Sequence, residues 1–138
     1  MEMTENEKKK DFLMSYQKEK RRVRRLEEQL EELRRNKMSP SVTNDGMPHG
    51  TDKKDLSDYA VKVDEIEQEL VAARYSRICA FQDVQKRIET MEDEREKDLL
   101  TYRYLRGLKW EEVAVRMGYS WQHTHKVHSR ALENLKMR

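Results

Sequence analysis

Apolar residues recur along this chain at helical rather than strand spacing. Phe12, Tyr16, Val23, Leu26, Leu30 and Leu33 alternate by threes and fours, broken where Glu19 takes a seam position, which predicts one amphipathic helix over about 8–36. The stripe is narrow, so this helix needs a partner. A second stripe runs through Leu56, Tyr59, Val63, Ile66, Leu70 and Ala73, then Ile78, Phe81, Val84 or Gln85, and Ile88. It predicts a long helix over about 56–91 whose seam slips near Arg77, so that its later half packs against something other than its earlier half. Between them, residues 37–55 hold both prolines, Pro40 and Pro48, with Gly46 and Gly50, and read as a flexible linker.

The pattern then shortens. Asp93 followed by Glu96 is a capping-box spacing, and a third helix is expected from there through Leu99, Leu100, Tyr102 and Leu105 to Gly107. Two short helices follow, Trp110 to Met117 and Trp121 to about Lys136. The turn between them is Gly118-Tyr119-Ser120, with glycine free to take the left-handed conformation and serine placed as N-cap. Two helices joined by a three-residue glycine turn have the form of a helix-turn-helix. Val113, Ala114 and Met117 share one face of the first, and Thr124, Val127, Ala131, Leu132 and Leu135 one face of the second. The division expected is therefore a basic amphipathic helix (1–36), a linker (37–55), a long central helix (56–92) and a helix-turn-helix domain (93–138).

Composition narrows the class. With 36% apolar and 41% charged residues in 138, and a mean hydropathy of −1.14, the chain cannot fill a large globular core. An all-α fold with long exposed helices is expected. The single Cys79 excludes an intrachain disulfide and reads as a small packing residue. No apolar run has the length of a membrane span or a secretory signal, so a cytoplasmic protein without membrane contact is expected. The net charge of +2 conceals segregation. Residues 8–37 carry twelve Lys and Arg against six Asp and Glu, residues 52–98 nine against fourteen, and residues 103–138 eight against three. A polyanion would meet one of the two basic ends.

The outward face of the expected last helix carries Trp121, Gln122, His125, Lys126 and Ser129. These residue types suit the major groove: Gln122 can pair with adenine, Lys126 can reach guanine or phosphate, and His125 can donate to either. Arg103, Lys109, Lys126 and Arg130 could gather on one surface for phosphate contacts. The histidines at 123, 125 and 128 do not make a zinc set. On a helix 123 and 125 point about 200° apart and no cysteine supplements them. No Ser, Cys or carboxylate stands in a fixed relation to these imidazoles, so neither a metal, a cofactor nor an enzymatic activity is expected. The run of Arg21, Arg22, Arg24 and Arg25 before Leu26, Leu30 and Leu33 has too few heptads for a zipper and reads as a solvated flank. Trp110 is expected to close the core; for Trp121 packing and DNA contact stand even.

Residues 99–136 resemble region four of bacterial sigma factors. The likeness rests on Arg103-Tyr104, Gly107, Glu111-Glu112-Val113-Ala114, Gly118-Tyr119-Ser120, and Ala131-Leu132 with Leu135. Over roughly residues 12–136 the chain also resembles phage and prophage sigma-like regulators of the ArpU and RinA type. The resemblance implies a sequence-specific regulator of phage or prophage transcription that binds double-stranded DNA, with RNA polymerase as a further partner. By the same resemblance Trp121, Gln122, His125 and Lys126 occupy base-facing positions and Arg103 and Lys109 fall at phosphate contacts, while Ser120, as the expected N-cap, anchors the start of that helix. Lys109 stands where sigma members usually have Ser or Thr, and Trp121 where a polar residue is common. The chain carries nothing like the sigma region that reads the other promoter element. Two rival readings share the helix-turn-helix: a packaging protein like small terminase subunits, and an adaptor acting on polymerase alone. Self-association through the long helices is a further expectation.

Overall fold

The computed structural model describes residues 2–38 and 52–137, and all regular structure among them is helical. The elements are α1 (Glu5–Met38), α2 (Asp52–Glu89), α3 (Glu94–Leu100), a π-helical stretch (Thr101–Leu105), α4 (Trp110–Met117) and α5 (Trp121–Asn134). Most of the expected linker, residues 39–51, lies outside the described residues, and its flanks belong to the helices on either side. No helix among the described residues is long and apolar enough to cross a membrane.

α1 begins earlier than its apolar stripe suggests because Thr4 and Glu7 form a capping box. Thr4 Oγ1 accepts from the Glu7 backbone N–H at 3.2 Å, and Glu7 Oε2 accepts from the Thr4 N–H at 2.9 Å. α2 stops at Glu89, short of the expected 91, where Met91 N–H donates to Ile88 O at 3.0 Å and Thr90 Oγ1 donates to Arg87 O at 2.6 Å. Asp93 then caps α3, accepting from Arg95 N–H at 2.9 Å and Glu96 N–H at 3.2 Å. Those bonds hold the Asp93 carboxyl below its usual range. The reciprocal half of the expected capping box is replaced. Glu96, almost fully buried, accepts instead from Asn134 Nδ2 at 2.6 and 3.2 Å and so ties α3 to the end of α5.

The described chain divides into two compact units. The smaller, residues 21–75, is built on Val23, Leu26 and Leu30 of α1 against Leu70 and Ala73 of α2, with Val63 and Ile66 partly buried beside them. Arg34 and Glu67 form an exposed ion pair there, worth little in water. Leu56 remains half exposed, so the stripe expected on α2 begins later than its first apolar residue.

The other unit joins residues 1–20 and 76–138. Its core holds Leu13 of α1, Val84 and Ile88 of α2, Leu99 and Leu100 of α3, Val113 of α4, and Val127, Ala131 and Leu132 of α5, with Leu135 just beyond. The seam of α1 here centres on Leu13, fully buried, while Phe12 and Tyr16 pack beside it. On α2 the choice between Val84 and Gln85 falls to Val84, and Ile78 is half exposed rather than seam-facing. Tyr16 meets Phe81 edge-on, their ring centres 5.1 Å apart.

Two side chains of α1 complete the ends of other helices in this unit. Lys9 Nζ donates to Leu132 O at 2.7 Å, at the negative end of α5. Gln17 Nε2 donates to Tyr104 O at 3.0 Å. The helix expected to run evenly from 94 to Gly107 instead widens at Thr101–Leu105, where Arg106 N–H donates to Thr101 O at 2.9 Å and Leu108 N–H to Tyr102 O at 3.0 Å. Gly107 terminates it at φ 70, and a Cβ there would stand 3.1 Å from the Gln17 carboxamide.

Candidate nucleic-acid interface

α4 and α5 are joined as their sequence requires. Gly118 adopts φ 68, Tyr119 N–H donates to Ala114 O at 2.9 Å, and Ser120 Oγ accepts from His123 N–H at 3.0 Å as N-cap of α5. Val113 and Ala114 are buried on α4, and Thr124, Val127, Ala131 and Leu132 on α5. Thr124 is fully buried yet satisfied, its Oγ1 donating to Ser120 O at 2.8 Å. Two helices at fixed separation, each with one face committed to the core, leave the outer face of α5 as a rigid surface.

That face is a shallow concavity lined by Trp121, Gln122, His125, Lys126, Ser129 and Arg130, with His123 at its margin. All but the two histidines are exposed. It carries two cations and no carboxylate, so its field favours an anion. Ser120 is exposed but its hydroxyl oxygen is engaged in capping. Lys109 is exposed at the N-cap position of α4. An ammonium has no lone pair to offer the helix, so only the reverse bond is made: Glu112 Oε1 accepts from the Lys109 N–H at 3.1 Å. Arg103 stands apart from this open surface. It is half buried, donates to Leu108 O at 2.9 Å, and lies 4.7 Å from the centre of the Trp110 ring.

His123 packs apart from the other two histidines of α5, which both meet Trp110. His123 meets Tyr119 edge-on at 4.4 Å. His125 lies 4.9 Å from Trp110 and 4.5 Å from Trp121, and its Nε2 is buried without a hydrogen-bond partner. His128 is buried, 4.5 Å from Trp110, and shares a 2.7 Å hydrogen bond with the Tyr104 hydroxyl. Burial pushes His128 down to about 4, with the charges of Lys10, His125 and Arg103 acting in the same direction. Burial pushes the Tyr104 phenol up to about 12 against the opposing pull of Arg103. Both groups are therefore neutral near pH 7, and their bond joins two uncharged rings. Among the described residues no three His, Cys, Asp or Glu side chains stand together to hold a metal ion.

His128 belongs to the buried face of α5 and not to its outward one. The available signal was its position, four residues after Thr124 and three before Ala131, on the buried stripe. Trp110 packs inward as expected, while Trp121 keeps 51% of its surface open.

Residues 93–137 match the family model of sigma-70, region 4. The matched segment begins at the cap of α3 and ends just past α5, so it covers the helix-turn-helix and identifies that part of the chain as a DNA-binding unit of the sigma region 4 type. Comparison of the chain with curated proteins and with solved structures finds no match.

Proposed function

We propose that this protein is a non-enzymatic, sequence-specific DNA-binding regulator of transcription, acting in the cytoplasm on phage or prophage genes, and that α5 is its recognition helix. The observation that carries the reading is the open face of α5, with Trp121, Gln122, Lys126, Ser129 and Arg130 outward on a helix whose opposite stripe is buried, within a segment matching sigma-70 region 4. Gln122 and Lys126 supply donors and an acceptor for base edges, while His125, its Nε2 buried, braces Trp121 beside them. Lys109 and Arg130 supply phosphate contacts, and Arg103 supports that surface through Leu108 and Trp110. The phage or prophage setting rests on the resemblance over residues 12–136. RNA polymerase is proposed as a second partner on the same ground, and self-association through the long helices is supported by Val61 and Val71 of α2, both more than half exposed.

A pair of variants tests the assignment. Gln122→Ala should relax discrimination at one base pair by about 1–3 kcal/mol while thermal melting stays unchanged. Val127→Ala removes two methyl groups from the core and should lower the melting temperature, with any DNA defect tracking unfolding. Matched and mismatched duplexes titrated against both variants, beside circular-dichroism melts, separate the two effects. If Gln122→Ala binds every duplex as the unmodified protein does, α5 is not the reading element, and a role on polymerase alone replaces this proposal.

A further inference from the structure

Trp121 is the one large apolar side chain on the open face of α5, among Gln122, Lys126, Ser129 and Arg130. An exposed indole at the first turn of a recognition helix is costly to leave in water unless something covers it. It is also held in place. His125, one turn further on, meets the indole edge-on with ring centres 4.5 Å apart, and is itself braced at 4.9 Å by Trp110 from the start of α4. Trp110 is in turn fixed by His128 at 4.5 Å and by the guanidinium of Arg103 at 4.7 Å. A row of rings thus runs from the core to the surface and ends in an indole of which half remains open.

Within a major groove only one standard base offers an apolar group, the C5-methyl of thymine, and thymine carries an acceptor, O4, beside it. Indole has the matching pair of features, an apolar ring edge and a single N–H that only donates. Guanine and adenine present acceptors without a methyl group, and cytosine presents a donor that opposes the indole N–H. We infer that Trp121 is a specificity-determining residue that reads one thymine through its methyl group, with the Trp110–His125 row holding the indole in register. The inference rests on the DNA reading above and adds the base that the first turn of α5 selects.

The test uses the full chain and a duplex recovered by it from a random-sequence library. Each thymine of that duplex is replaced singly by deoxyuridine, which removes the methyl group and leaves O4 in place. At one thymine position affinity should fall roughly fourfold, the scale of one buried methyl group. In Trp121→Ala the ratio at that position should approach one, and in Trp121→Phe, which keeps the apolar edge, it should persist. Uniform ratios near one in the unmodified protein overturn the inference while leaving DNA binding intact. Retention of the ratio in Trp121→Ala overturns it as well. A duplex with 5-methylcytosine at that position that binds as tightly as thymine overturns the assignment to thymine. If the library yields no duplex at all, the DNA reading itself fails and takes this inference with it.

Discussion

His128 and Tyr104 show how far a single residue departs from its sequence context. A histidine near the surface of a basic helix would titrate near its ordinary value; this one is buried against Trp110 and bonded to a phenol, and burial takes it down to about 4. The sign of the consequence follows from linkage. As pH falls below about 6.5 the unfolded chain binds a proton at this site and the folded chain does not, so stability is full above that pH and declines until about 4. For this shift the loss is roughly 3 kcal/mol across the window. Urea denaturation at several pH values between about 7 and 4 should show that decline, and His128→Gln, which still offers Tyr104 a partner, should be flatter. Equal slopes in both proteins would place the acid sensitivity elsewhere. The site was half legible beforehand. Periodicity puts His128 on the buried stripe, but its partner lies 24 residues away, and spacing along one helix says nothing about a bond to another element.

At the level of elements, the local signals were the readable ones. The Asp93 cap, the glycine turn at Gly118, the Ser120 cap and the two buried faces of α4 and α5 all follow from residue type and spacing within a few positions. What the sequence did not disclose were choices of phase and of distant partners. Phe12 and Leu13 are adjacent apolar residues about 100° apart around the helix, and only packing selects Leu13 for the core. Within the π-helical stretch Thr101–Leu105, the Tyr104 carbonyl likewise takes a partner from outside, Gln17, across 87 positions of sequence. Lys109 gives this scale its prediction. The residue fills an N-cap position with a side chain that cannot cap, and it sets a cation at the positive end of α4. Lys109→Ser should therefore stabilise the fold by about 1 kcal/mol, read as a higher melting temperature. It should also weaken binding to matched and mismatched duplexes by the same factor, since a phosphate contact carries no sequence information. Tighter binding by this variant would assign Lys109 no contact with DNA.

For the molecule as a whole, the matched segment 93–137 is not the unit that packs. The core beneath α4 and α5 includes Leu13 of α1 with Val84 and Ile88 of α2. Leu13→Ala, far from α5 in sequence, should cost about 2–5 kcal/mol because Leu13 is fully buried. Both tryptophans of the chain, Trp110 and Trp121, lie in the helix-turn-helix, so their fluorescence during denaturation reports its loss directly. An unchanged fluorescence midpoint in Leu13→Ala would mean that the short helices hold together without α1. Removal of residues 1–20 should lower that midpoint further, because it also takes away Lys9 and Gln17 from the helix ends they complete.

The bond from Lys9 to the end of α5 spans 123 positions of chain, and this sets an order of events. During synthesis α1 leaves the ribosome well before α5 exists, so Lys9 waits without its partner while everything between is made. Native pairing over so long a separation carries a loop-closure cost, which slows folding relative to helical proteins built from neighbours. A nascent chain halted before residue 121 would display the α1 stripe yet lack α5. The core of this unit is therefore complete only once the chain has been made through α5 and its two distant segments have met.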